Sequence, residues 1–344
     1  MSLTMMSSIS SVNVRNNRPS VVPSFVPSVV HAWTSRVSPA DNEWMSVCWS
    51  AEVGLFVAVS GSGSGNRVMT SSNGINWSLR SSPDNQFSSV CWSKELGLFV
   101  AVSLSGTNNI VMTSPNGINW TSRTSAANSW WVSVCWSAEV GLFVAVSALS
   151  TNNIVMTSPD GINWTSRSSG VNNQWTSVCW SKERGLFVAV ALSGTGNRVM
   201  TSSDGITWTS QSSAPNNHWR SVCWSAELGL FVAVAEYIQG ANAENLGRVM
   251  TSPDGINWTS RSSAVNNQWY SVCWSKELGL FVAVSVNGIG NGVMTSPNGI
   301  NWTSRSNAVD NSWGSVCWSP ELGLFVAVSR AGSGDRVMTS STGY

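Results

Sequence analysis

Residues 176–210 read TSVCWSKERGLFVAVALSGTGNRVMTSSDGITWTS, and the fold is decided by this stretch. It contains four short runs rich in Val, Phe, Trp, Thr or Met: Thr176–Ser181, Gly185–Ala191, Arg198–Ser202 and Ile206–Ser210. Gly, Asn and Ser separate them, as expected for strands joined by tight turns. The second run is apolar on both faces, with Leu186, Val188 and Val190 on one and Phe187 and Ala189 on the other. A strand of that kind must be covered on both sides. No 3.6-residue period competes with this reading.

The same words recur outward in both directions. The seven cysteines, Cys48, Cys91, Cys135, Cys179, Cys223, Cys273 and Cys317, are spaced by 43, 44, 44, 44, 50 and 44 residues. Each stands in S-V-C-W-S, followed by G-L-F-V-A-V and then V-M-T-S. A four-strand unit with a period of about 40–45 residues is the signature of a propeller blade. Seven units predict an all-β, seven-bladed propeller over residues 31–344. The last unit stops at Tyr344 before its fourth strand, and the missing piece stands near the other end as Trp33-Thr34-Ser35-Arg36. An N-terminal fourth strand that completes the C-terminal blade would close the ring and leave no free edge. Residues 1–30, with Pro19, Pro23 and Pro27, lie outside the repeat and read as a flexible tail, or alternatively as an arm that docks on a partner.

Composition narrows the function classes. The net charge is +1, charged residues are 10% of 344, and no Lys/Arg cluster exists, so nothing draws the chain to nucleic acid. No apolar run reaches the ~20 residues of a membrane span, and no signal peptide is visible. The two His, His31 and His218, fall in different units without zinc spacing. No cofactor is expected. Gly61–Gly65 and Gly194–Gly196 mimic phosphate loops but lack the helix that must follow, so they read as hairpin turns.

The phrase Ser158-Pro159-Asp160-Gly161-Ile162-Asn163-Trp164 resembles the Asp-box, or BNR, repeat of sialidase-type propellers, where it forms the turn between the third and fourth strands. The resemblance extends over the whole ring and implies the fold. It departs from the usual box by one residue fewer between Asp and Trp, and the Asp position reads Asn73, Asn116, Asp160, Asp204, Asp254, Asn298 and Thr342. A sialidase would also need symmetry-breaking arginines and a Tyr/Glu nucleophile pair. Here Arg36, Arg80, Arg123, Arg167, Arg261 and Arg305 simply repeat, so no enzymatic activity is expected. Near-identical tandem units also resemble the amplified propellers of bacteria, phages and large viruses. The photosystem II assembly factor type is similar in fold, without a motif that carries over its partner site.

An odd number of equivalent thiols, one blade apart, predicts seven free cysteines packed as small hydrophobes on the innermost strand. That suits a cytoplasmic or virion setting. The repeated Glu of the A–B turn, as in Glu95, reads as solvated or as part of a ring of Glu–Arg pairs. The 21 Trp fall into three classes. Two recur in every blade, as in Trp164 and Trp180, and read as packing between blades. The third precedes strand A: Trp44, Trp131, Trp175, Trp219, Trp269 and Trp313, with Phe87 in the second unit. Beside it stand amides such as Asn173 and Asn267. These rings are expected either to anchor the loop or to stack on sugars as a multivalent lectin. The A–B and C–D turns share one rim and hardly vary. The B–C and D–A loops share the other and hold most of the variation, including an insertion within 235–247 that carries Tyr237. Loops carry function on rigid scaffolds. The expectation is a monomeric ring that recognises a protein or glycan through the B–C/D–A rim.

Overall fold

A computed structural model of the chain describes residue 1 and residues 32–344, apart from 106–109, 150–153, 213–214 and 239–246. The expected tail over 1–30 therefore lies outside the described residues, save Met1, as does most of the insertion. The described residues form seven separate sheets of four antiparallel strands and no helix. In the fourth blade, strands A to D are Trp175–Ser181, Leu186–Ala191, Val199–Ser202 and Thr209–Gln211. Strand D starts three residues later than read from sequence, because the preceding residues form a tight turn. There the Asp204 carboxylate accepts the N–H groups of Ile206 and Thr207 at 2.8 and 2.7 Å. Gly205 takes a φ of 71°, a conformation open to glycine. Its carbonyl accepts the Trp208 indole N–H at 3.1 Å.

Strand B explains the core. Phe187, Val188, Ala189 and Val190 are all fully buried. Phe187 and Ala189 join Trp175, Met200 and Trp208 of their own blade in one cluster with Val144, Val146 and Val155 of the blade before. Val188 and Val190 face the other way, into the cluster built around Trp219 and Phe231 of the blade after. Each blade thus supplies half of two cores, and none is complete alone.

The ring closes. Thr34–Arg36 pairs with Val337–Ser340 in the last sheet, with Thr34 opposite Thr339 and Arg36 opposite Val337. Trp33 is buried against Phe325 and Trp313 and donates its indole N–H to the Gly343 carbonyl at 3.2 Å. Val326 and Val328 of the C-terminal blade pack with Trp44 and Phe56 of the first. The A strands touch in a circle, each meeting the A strand of both neighbours.

The inner edge of strand A has no further strand to pair with, yet it is not bare. The serine of S-V-C-W accepts the N–H of the valine in the next blade: Ser315 from Val47, Ser46 from Val90, and so on through all seven junctions at 3.1–3.2 Å. This satisfies donors that would otherwise be left open.

On the A–B rim a second ring of bonds joins the blades. The Glu of each A–B turn accepts the indole N–H of the Trp that follows Cys in the next blade, at 2.6–2.8 Å in all seven cases. The Glu stay exposed, as the solvated reading has it, and in place of the alternative Glu–Arg ring they form a Glu–Trp ring. Three of these Glu also meet a lysine, Glu52 with Lys94, Glu139 with Lys182 and Glu227 with Lys276, at 3.4–3.8 Å. The repeated arginines each donate to a strand C threonine of their own blade at 2.9–3.1 Å, and Arg305 also lies over the Tyr344 ring of the next blade at 4.2 Å. All seven cysteines are free and half-buried rather than fully enclosed. Burial pushes the Cys48 and Cys179 thiols well above the usual range.

Candidate functional site

The third Trp class does not form a ligand platform. Trp44, Trp131, Trp175, Trp219, Trp269 and Trp313 are all 0% exposed. A ring with no face open to solvent cannot stack on a sugar, so the lectin expectation is corrected at these residues. Five of the rings are bonded from within. Trp44 donates to the Ala40 carbonyl, Trp131 to Ala127, Trp219 to Pro215, Trp269 to Val265 and Trp313 to Val309, at 2.9–3.3 Å. Each bond spans four residues and folds the D–A loop over its own Trp.

The amides are clamps as well. Asn173 and Asn267 are 5% and 8% exposed and donate to the carbonyls of Asn197 and Asn291 at 2.7 and 2.8 Å. They tie the D–A loop to the B–C loop. Gly194 sits against this clamp at a φ of +107°, and a Cβ there would fall 2.5 Å from Asn173 Nδ2. Tyr237 lies opposite His218 where strands A and B of the fifth blade run on as Asn217–Ser225 and Leu230–Ile238. The Tyr237 side chain lies outside the described residues. His218 is half-buried, and its pKa is lowered by burial first and then by Arg198.

What the rim offers a ligand lies one residue further along. In every blade the A–B register slips just after the third-class aromatic, so the next residue is a β-bulge. Bulges re-aim a side chain. Here the residues are Met45, Ser88, Val132 and Thr176 in the first four blades, then Arg220, Tyr270 and Gly314. Seven blades carry seven residue types inside a word whose other letters scarcely change. The position just after strand B in six blades, and its equivalent within the longer strand of the fifth, varies likewise: Gly61, Leu104, Ala148 and Leu192, then Glu236, Val286 and Arg330. These two positions were not singled out from the sequence. The signal was present there as variation at one fixed place in a repeat.

The structure brings them together. Six of the seven bulge residues, with Leu104, Ala148 and Arg330, line a cavity of about 310 Å³ to which every blade contributes. Its wall has two arcs. The first is apolar, with Met45, Leu104, Val132 and Ala148. Ser88 and Thr176 on this side turn their hydroxyls into the fold, donating to the carbonyls of Trp131 and Trp219 in the next blade, both at 2.6 Å.

The second arc is charged. Tyr270 is flanked by two guanidiniums, Arg220 and Arg330, at 4.8 and 5.3 Å from its ring centroid. Cation–π contact of this kind holds both arginines to the ring. Arg330 also donates to the Tyr270 hydroxyl at 3.1 Å. Glu236 pairs with Arg220 at 2.5 Å, whereas no acid of the described residues lies within ion-pair distance of Arg330. Gly314 makes this possible, since a Cβ there would lie 3.0 Å from Arg330 Cγ. The two arginines and one glutamate leave this arc with a formal charge of +1, by 2 − 1.

A closed propeller with an asymmetric axial pocket is the class that fold and site define. No protein family matches the sequence, and no curated protein matches it. Solved structures do match in shape. The chain is similar to YCF48 from Cyanidioschyzon merolae, with a TM-score of 0.65 at 14% identity over 90% of this chain and 98% of that one. It is similar to streptogramin B lyase, at 0.71 and 7% over 89% and 96%. The GH74 enzyme of Niastella koreensis matches at 0.68 and 12%, over 90% of this chain and 53% of that one. At such identities the likeness shows the fold alone.

Proposed function

We propose that the chain is a non-enzymatic recognition module that binds its partner on the B–C/D–A face, centred on the axial pocket. The observation that carries this reading is the bulge position, where an otherwise repeated scaffold presents a different residue in every blade. Positions released from packing are where a rigid fold acquires specificity. The polar groups of the pocket favour binding over chemistry. Tyr270 accepts from Arg330 and Glu236 is held by Arg220, so neither is paired with a base or nucleophile. The C–D turn supports an Asp-box-type reading, since Asp160 Oδ1 accepts two successive N–H groups at 2.8 Å and the Asn forms of the turn do the same. Seven free thiols suit a reducing compartment or a virion, and a closed ring whose outer edges are only the short strands D suits a monomer.

Site-specific photo-crosslinking tests the face. A benzophenone side chain placed at Val132 or Leu104 is expected to capture a partner in source-cell extract. The same group at Leu96 or Leu278, exposed on the opposite rim, is expected to capture none. Equal capture from both rims would overturn the assignment.

A further inference from the structure

The composition of the pocket wall also indicates what it takes. This step rests on the face assigned above and goes on to name a ligand. We infer that the axial pocket binds a small organic monocarboxylate: one carboxylate on an apolar body of a single ring or short chain.

Met45, Leu104, Val132 and Ala148 give one wall that no polar solute gains from. The other arc carries Arg330. Its guanidinium is braced by the ring and hydroxyl of Tyr270, has room because residue 314 is glycine, and meets no described acid. Arg220, also at the ring, already has Glu236 as its counter-ion. A guanidinium fixed in position, with no carboxylate beside it among the described residues, is a ready partner for one, because its planar fork matches that geometry. The ligand must then be apolar where it meets the other arc. Size sets the rest: about 310 Å³, at the small end of the ~300–1,000 Å³ of ligand pockets, suits a single ring or short chain. A cation is disfavoured by the net positive arc. A neutral apolar molecule would leave the Arg330 charge without gain.

Isothermal titration of the full chain with three isosteric probes tests this. The probes are 4-phenylbutyrate, its neutral amide, and 4-phenylbutylamine. The acid is expected to bind, the amide about tenfold to a hundredfold more weakly, and the amine not at all. Arg330→Ala is expected to lower acid binding by a similar factor. Ala148→Phe, which fills the apolar arc, is expected to abolish it with little change in melting temperature. This second variant keeps the test sound if Arg330→Ala weakens the fold. Equal binding of acid and amide, or acid binding unaffected by both variants, would overturn the inference. A tripeptide ending in a phenylalanine carboxylate forms the last arm. Tighter binding of that peptide than of the free acid would reject the small-molecule assignment. If no probe binds while crosslinking still maps to the same face, the ligand is wrong and the recognition face stands. If crosslinking fails and the acid binds, the face assignment alone falls.

Discussion

The two rims of this ring obey different rules. On the A–B/C–D rim the same residues make the same bonds in every blade, such as the Trp136 indole on Glu95 at 2.7 Å and the Trp318 indole on Glu277 at 2.7 Å. On the B–C/D–A rim the bulge residue changes from Met45 to Ser88 to Val132 and onward without repetition. The difference follows from what each side chain meets. A residue packed in the shared core between blades must suit a neighbour that is itself a copy, so it repeats. A bulge residue faces the axial cavity, where even the contacts that reach the next blade differ: Ser88 and Thr176 donate to carbonyls there, whereas Arg220 lies against the Tyr270 ring. Under the proposed function, holding the ring and reading a partner fall to opposite rims.

Breaking the ring itself should have the largest effect. A chain that begins at Ala32 keeps Trp33 and the Thr34–Arg36 strand, whereas one that begins at Asp41 loses both. The shorter chain is expected to melt at least about 10 °C lower, or to aggregate through the edge of Val337–Ser340 that the loss uncovers. Equal melting of the two chains would refute closure.

The buried aromatics come next. Trp269→Ala is expected to cost roughly 3–5 kcal/mol in denaturant unfolding, the usual loss for truncating an enclosed Trp. Trp175→Phe is expected to cost far less, because Phe87 fills the equivalent place in the second blade and is equally buried. A Trp269→Ala chain as stable as its parent would mean that the ring is not enclosed in solution.

Much of this was legible in the sequence because the repeat is a physical constraint. A strand apolar on both faces, written seven times, has few homes besides a propeller, and the split last unit pointed to the joined ends. The solvated Glu turn and the loop-anchoring Trp hold, and their two alternatives, a Glu–Arg ring and Trp platforms for sugars, fall for one reason. Whether a Trp ring faces solvent or its own loop depends on the fold of the D–A segment. That fold is set by bonds such as Trp269 to Val265, which sequence spacing alone does not reveal. The bulge was missed because Thr176-Ser177 reads as ordinary strand. Only the slip in pairing between Trp175 and Ser177 turns Thr176 toward the cavity.

The invariant rim gives smaller effects. Glu95→Ala removes one exposed bond from a ring of seven and is expected to lower stability by ~0–1 kcal/mol. Additive losses as further Glu are removed, measured by urea unfolding, would support independent clasps. A sudden collapse at the second or third removal would contradict them.

The smallest effect concerns the C–D turns. Partial burial alone would raise the Asp160 carboxyl, but the N–H groups of Asn163 and Ile162, the Asn163 amide and the Ser158 hydroxyl together hold it at about 2. Asp254 is held at about 2 in the same way. Because the folded value lies below the ordinary 3.8, each contributes stability that is full above that value and is lost as pH falls toward 2. Asp160→Asn with Asp254→Asn is expected to change little at pH 7 and to flatten the stability profile between those limits. An unchanged acid profile would show that these turns do not prefer the carboxylate.

The division of labour between the rims is tested most directly by making the mouth uniform. Met45, Val132, Thr176, Arg220 and Tyr270 would all be replaced by serine, the residue that the second blade already carries as Ser88. Thermal melting and crosslinking from Leu104 would then be compared with the parent chain. If the bulge residues serve recognition rather than folding, the uniform ring should melt within a few degrees of the parent and capture no partner. A ring that unfolds or loses many degrees while its capture of the partner persists would contradict the account.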